Sequence, residues 1–427
     1  MCVQESELQM KEFFNLISRR EFMKLLTRFS RLEPQNCHIS QGLNLVLARN
    51  IKSPEDLPPF PRSTMDGFAV RAKDTFGCSE SEPALLKVIG EIPMGTVVQD
   101  MQIGPQETAK IWTGGALPKG ADSVVMVEYT HLVDEHTIEV FRPVAPGANV
   151  ILQGEDFRQG EIVLNEGREL SSHDLGVLAG LGITRVPVYR TPVVAILSTG
   201  DEIIPPDQTP APGQIRDING TTLSGLVSEA GGTPIYMGIV RDDPEVLYKK
   251  CHKAIEQGAD IILLSGGSSV GRRDFTLSVL QSMKGAEVLS HGVSIRPGKP
   301  TILVKQGNRA FFGLPGHVGS AIVVFYLFVR PLIRFMSGRD LSIGLKTIEA
   351  VCSQEIPSVH GREDYVRVVL QHHTEQKLIE AFPIFGKSGL IRPLIKAHGL
   401  LRIPRDCEGL EKGDHAQVLL FREWPEP

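Results

Sequence analysis

Apolar and polar positions change rhythm several times along the chain. Between residues 9 and 30, Phe13, Phe14, Ile17, Phe22, Leu25, Leu26 and Phe29 recur near helical spacing. This predicts an amphipathic helix that packs on another part of the chain or on a second subunit. From about residue 51 short β-type runs punctuated by Gly and Pro take over, as in LLKVIGEIPMG, AKIWTGGALP and DSVVMVEY, and predict a compact β-rich unit. Pro146 to Gly160 is rich in glycine and polar residues, and Leu170 to Leu181 then resumes a helical pattern behind the Ser171/Ser172 start signal.

After Pro192 the pattern alternates apolar strand, glycine-bearing loop and helix: VVAILSTGDEI, TTLSGLVSEA, DIILLSGGSSVGRRD, TILVKQ and AFFGLPGHVGSAIVVFYLF. Strands that are apolar throughout and separated by helices predict a mainly parallel sheet covered on both faces. The most apolar run, Ala321 to Val329, meets Arg330 and Pro331 well short of the roughly 20 residues that span a bilayer, so it reads as a buried helix. From Ser337 onward, DYVRVVLQ and HAQVLLFRE alternate like half-buried strands and predict a small C-terminal β domain. No fixed-period repeat or low-complexity tract stands out, which disfavours a solenoid or a disordered scaffold. The fold class expected is α/β and multidomain.

Composition narrows the function. With 427 residues and 41% hydrophobic content, two to four folded units are expected. A net charge of −5 leaves no global basic field, which argues against a dedicated nucleic-acid binder held by phosphate contacts, so any anion must be held locally. Cys2, Cys37, Cys78, Cys251, Cys352 and Cys407 are scattered and show no zinc-ligand spacing. They read as reduced thiols of an intracellular, cytoplasmic protein. The N-terminus has no signal-peptide pattern, and no membrane span is expected.

In an open parallel sheet, ligands bind beyond the carboxyl ends of the strands. Three loops meet that description. Ser198-Thr199-Gly200-Asp201-Glu202 follows one strand, Ser265-Gly266-Gly267-Ser268-Ser269-Val270-Gly271 follows a second and leads to Asp274, and Leu314-Pro315-Gly316-His317-Val318-Gly319-Ser320 opens the apolar helix. Glycines let backbone N–H groups approach phosphate oxygens. One such loop is more often a plain structural turn, but three on one edge favour a phosphate site. Glu202 and Asp274 would repel a bare phosphate, by about 4 kcal/mol for unit charges about 4 Å apart at an effective dielectric of 20. Mg²⁺, held by carboxylates together with substrate phosphates, resolves that conflict. Asp201 reads as a cap or solvated loop residue. Arg296 and Lys299, in the proline-stiffened segment IRPGKP, make a candidate oxyanion site. Upstream, Asp66 lies in PPFPRSTMDGFA, where an Asp-Gly pair on its own reads as a turn.

Eight segments in order resemble the MoeA and gephyrin E-domain family of molybdenum insertases: DLPPFPRSTMDGFAVRA, GEIPMG, IWTGGALPKGAD, PGANVILQGED, LSTGDEI, SGGSSVGRRD, IRPGKP and GLPGHVGSA. The resemblance runs from about residue 15 to the C-terminus. It implies an elongated N-terminal unit from residues 1–50 and 151–190, a β-rich domain inserted at 51–150, a molybdopterin-binding α/β domain at 191–336 and a C-terminal β domain at 337–427. It implies a homodimer whose active site is a cleft between the α/β domain and the partner's β-rich unit. The reaction implied converts adenylylated molybdopterin and molybdate, or tungstate, into cofactor and AMP with Mg²⁺ as metal. By motif position, Asp66, Thr113, Asp156, Glu202 and Asp274 match the family's acidic and hydroxyl active-site set, with Glu202 and Asp274 as metal ligands. Ser198, Thr199, Gly200, Gly266, Gly267, Ser268, Pro315 and Gly316 fall in the substrate-binding loops. Arg296 and Lys299 match its paired basic residues, and Ser388, with Arg362 or Arg367, matches C-terminal contributions to the same pocket.

This chain departs from the family at three places: Ile151 stands where a basic residue is common, His317-Val318 replaces Asn-Pro, and Arg296 replaces a lysine. Two rival readings are a molybdopterin adenylyltransferase, for which a lone α/β domain would suffice, and a gephyrin-like dimeric scaffold without turnover, which would have no need of the carboxylates.

Overall fold

The computed structural model describes residues 16–96, 100–266, 275–373 and 378–424. The chain divides into two compact units. One takes Cys37–Leu43 and Arg49–Val186, and the other takes the chain up to Asn36, Asn44–Ala48 and Pro187–Pro427.

The smaller unit is built on a six-stranded sheet in the order Ser123–Met126, Gly67–Val70, Glu107–Ile111, Ala84–Ile92, Thr137–Val140, Thr130–Asp134. Only Ala84–Ile92 and Glu107–Ile111 run parallel among these neighbours. Alternation splits each strand between two cores, so Phe68 and Val70 join Leu86, Val125 and Ile138, while Ala69 joins Ile92, Ala109 and Ile111. The predicted helix behind Ser171 spans Ser172–Gly180, and a reciprocal capping box between Ser171 and Asp174 starts it.

The larger unit holds the α/β sheet, in the order Thr233–Val240, Val193–Thr199, Ile261–Ser265, Arg309–Leu314, Ile302–Gln306, Ala286–His291. The first four strands run parallel, Ile302–Gln306 runs antiparallel to both its neighbours, and Ala286–His291 returns to the direction of the first four. Both faces are covered, as strands apolar on both sides require. Val194, Ile196, Ile261, Leu263 and Phe312 face Leu223, Val227 and the helix Val318–Met336, whereas Ala195, Leu197, Ile262, Leu264 and Phe311 face Leu247, Cys251, Val279 and Leu280.

Two helices differ from expectation. The N-terminal one spans Arg19–Leu26, started by a Ser18–Glu21 capping box; Phe13 and Phe14 lie outside the described residues. It packs on this same unit, with the Phe22 and Phe328 rings 4.1 Å apart. The apolar helix does not stop at Arg330-Pro331 but runs from Val318 to Met336. A π-helical turn at Phe325–Val329 precedes the proline, which has no N–H to donate. Arg330 turns inward and donates to the Ile343 and Glu229 carbonyls. By length and composition this helix could cross a membrane, yet here most of it is buried in the core.

The C-terminal strands close on themselves. Glu363–His373, Leu378–Pro383, Thr347–Cys352, His415–Leu420 and Gly399–Ile403 follow one another, and the last pairs back onto the first around Cys352, Val368, Leu401 and Val418. Closure leaves no open edge in the ring. Ile295–Arg296, from the α/β part, adds in parallel to Glu363 and Asp364 and so carries Arg296 to the rim of this barrel.

Candidate functional site

The strand order reverses at Val193–Thr199, whose neighbours on either side come later in sequence, so the crevice beyond its carboxyl end is a topological switch point. Thr199, Gly200, Gly266, Pro315 and Gly316 meet there. Gly266 has φ of 108°, and a Cβ on it would lie 2.3 Å from the Thr199 carbonyl oxygen, so this loop needs glycine. Its N–H donates to the Leu314 carbonyl at 3.1 Å, which ties two of the predicted loops together. Glu202 curls back over Gly200, where an added Cβ would meet Glu202 Oε2 at 2.7 Å. Asp201 accepts from the Asp242 N–H at 3.2 Å and braces the loop.

Ser198 is fully buried, and its hydroxyl donates to Asp217 at 2.7 Å. Asp217 also accepts from the Tyr236 hydroxyl at 2.7 Å and the Gly220 N–H at 2.9 Å. Burial and this bond raise the Tyr236 phenol well above its ordinary value. Asn219 donates to the Gly316 carbonyl at 2.8 Å. Two buried atoms of this crevice, Asn219 Oδ1 and Ser265 Oγ, have no protein partner, a condition that a bound ligand or water relieves. Sequence reasoning missed Asp217 and Asn219; their signal was a polar pair, in RDING, just before a helical run.

A second part of the site is a cavity of about 450 Å³ between the α/β sheet and the barrel, lined by Arg296, His317, Asp364, Arg367 and Ser388 among others. Arg367 donates to the Gly386 carbonyl at 3.1 Å, its buried Nη1 has no protein partner, and burial lowers its pKa. Such a guanidinium invites an anion. Asp364, with a side chain only 4% exposed, pairs with Arg362 at 2.9 Å and Arg296 at 3.5 Å. Of the two arginines left open by the sequence, Arg367 lines the cavity and Arg362 stands behind Asp364. His317 Nδ1 lies 2.9 Å from Ser388 Oγ. Lys299 is half-buried and does not line this cavity, so the predicted Arg296–Lys299 pair is not brought together there.

In the smaller unit, Asp66 closes a bend at residues 64–66 and Gly67 opens the strand Gly67–Val70. A Cβ on Gly67 would fall 1.9 Å from the Val125 carbonyl oxygen, so close strand approach dictates glycine. Asp66 accepts from both the hydroxyl and the N–H of Thr113, each at 2.7 Å, and these bonds hold its carboxyl below the usual range. Asp156 is exposed on a loop stitched to the same segment, since its N–H donates to the Leu57 carbonyl and Val150–Ile151 pairs with Arg62–Ser63. Gly267, Ser268 and Asp274 lie outside the described residues. Among the described residues no three His, Cys, Asp or Glu side chains cluster as a metal cage. Exposed Glu202 at the strand ends fits a cation held largely by substrate oxygens.

Three family models cover the chain in order: "MoeA N-terminal region (domain I and II)" at residues 16–182, "Probable molybdopterin binding domain" at 195–334 and "MoeA C-terminal region (domain IV)" at 349–421. A molybdopterin molybdenumtransferase of Bacillus subtilis is 33% identical over 91% of this chain and 91% of its own length. The chain belongs to the MoeA family. A second molybdopterin molybdenumtransferase, from a Nostoc species, is 36% identical over 88% of this chain and 86% of its own length. The crystal structure of a molybdopterin biosynthesis MoeA protein from Pyrococcus horikoshii superposes with a TM-score of 0.83 at 36% identity, covering 96% of this chain and all of that one. The MoeA fold thus accounts for the α/β multidomain class and for the order of the segments.

Proposed function

We propose that this MoeA-family chain is a molybdenum insertase, which transfers molybdenum from molybdate into adenylylated molybdopterin and releases AMP. The observation that carries the reading is the cavity where Arg296, Arg367, His317 and Ser388 converge, beside the switch-point crevice. One part suits a tetrahedral oxyanion and the other a phosphorylated ligand. Glu202, with Asp274, would hold Mg²⁺, which supplies charge neutralisation on the departing phosphate. Thr199, Gly200, Gly266 and the Pro315-Gly316 loop would receive the substrate's phosphates through backbone N–H groups. The four-domain division and a homodimer, with Asp66, Thr113 and Asp156 serving the partner's α/β domain, belong to the same proposal. An adenylyltransferase would have no use for the barrel side of the cavity.

Replacing Arg367 by Ala tests this assignment. Steady-state insertion assays should show the KM for molybdate raised by about tenfold or more, the loss of one charge-assisted bond, with the KM for adenylylated molybdopterin little changed. An unchanged molybdate KM would remove Arg367 from the oxyanion site.

A further inference from the structure

We infer that His317 is an oxyanion-binding group of this cavity, one whose protonation turns the Ser388 hydroxyl toward the anion. The inference rests on the proposed reading of the cavity as the oxyanion site. His317 occupies the N-cap position of the Val318–Val324 helical segment yet makes no side-chain capping bond there. Its Nδ1 lies 2.9 Å from Ser388 Oγ, and both residues line the cavity with Arg296 and Arg367. The Ser388 carbonyl accepts from the Gly319 N–H at 3.0 Å, so backbone clamps the loop against the helix start and fixes the pair.

Hydrogen-bond inventory gives this pair two states. With a neutral imidazole whose Nδ1 is the acceptor, the Ser388 hydroxyl donates its proton to the ring. The opposite tautomer places an Nε2 lone pair, a poor neighbour for an anion, on the other edge. With both nitrogens protonated, Nδ1–H donates to Ser388 Oγ, and the serine proton is released to an oxyanion. The ring then adds a positive charge and keeps its Nε2–H donor. The proton comes from solvent, so anion binding and proton uptake are linked, each favouring the other.

The described groups that face the ring across the cavity are Arg296 from the strand Ile295–Arg296, Asp364, Tyr365 and Arg367 from Glu363–His373, and Lys387 from the loop before Ser388. Arg362 stands behind Asp364. As side-chain classes, arginine, lysine, tyrosine and aspartate keep one charge state across neutral pH, whereas imidazole changes charge there.

Calorimetric titration of the full chain with molybdate, at several values between about pH 6 and pH 8 and in buffers of different ionisation heat, tests this. The expected result is binding roughly tenfold tighter at the acid end, with proton uptake, as one added charge near a dianion provides. His317→Asn should bind with little pH dependence and no uptake. Asn is a favourable N-cap, so this variant keeps the helix start, and His317→Gln serves as a second check. A pH slope and proton uptake that persist in both variants, or a wild type that binds equally across the range, would overturn the role of His317. No molybdate binding by the wild type at any pH would sink the reading of the cavity as well.

Discussion

At the scale of single residues, the site is prepared by partners that sequence spacing does not reveal. Asp66 and Thr113 are 47 positions apart, yet two hydrogen bonds from one to the other hold the Asp66 carboxyl ionised to lower pH than usual. Thr113→Val deletes the hydroxyl donor and leaves the N–H. A carbon-detected carboxyl titration should therefore place the Asp66 midpoint higher in the variant, closer to an ordinary aspartate; an unmoved midpoint would show that the hydroxyl contributes nothing. Motif resemblance named both residues without showing that they touch. Asp364 escaped notice for a related reason, because its importance lies in two arginines it pairs with, one of them 68 positions upstream. His317 was visible as a member of the third loop and as a departure from the family pattern, but not as a partner of Ser388.

At the scale of elements, periodicity was most informative where a strand or helix faces apolar surroundings, as in Val193–Thr199 and Ile261–Ser265. It was least informative where tertiary contacts set the limits. The Val318–Met336 helix passes through Pro331 because a π-helical turn, closed by the Arg330 N–H on the Phe325 carbonyl, precedes the residue that has no N–H to donate. The antiparallel placement of Ile302–Gln306 between its neighbours likewise has no local signature. The glycine loops were legible as sites, but the reason for each glycine was not. At Gly266 a positive φ and a Cβ position 2.3 Å from the Thr199 carbonyl combine. Gly266→Ala should cost about 2–3 kcal/mol by chemical denaturation and weaken ligand binding. Gly258 also has a positive φ but open space around it, so the same change there should cost only about 1 kcal/mol. Equal costs at the two positions would refute the close-approach argument.

At the scale of the whole molecule, Glu363 joins the N-terminal helix to the barrel within the larger unit. It accepts from Arg19 of the N-terminal helix at 3.0 Å, from Arg402 of the barrel at 3.1 Å and from the Tyr365 hydroxyl at 2.6 Å. Burial pushes its carboxyl up, but the Tyr365 bond and the two arginines outweigh that and leave it below the usual range. A carboxylate held low in the folded state gives stability that is complete above its unfolded value, about 4.3, and is lost as pH falls through the lower folded value. Glu363→Ala should cost about 1–2 kcal/mol near neutral pH, through the lost bonds from two partly exposed arginines and the buried Tyr365 hydroxyl, and that difference from wild type should shrink below about pH 4. A cost that stays constant into acid would contradict the ionic account. Charge composition gave no hint of this junction, since its members span nearly the whole chain.

The insertase account is tested most directly by AMP release from adenylylated molybdopterin, measured with purified protein and Mg²⁺ in the presence and absence of molybdate. The account predicts release that depends on molybdate and yields active molybdenum cofactor. Release at the same rate without molybdate, or no release with it, would contradict the account.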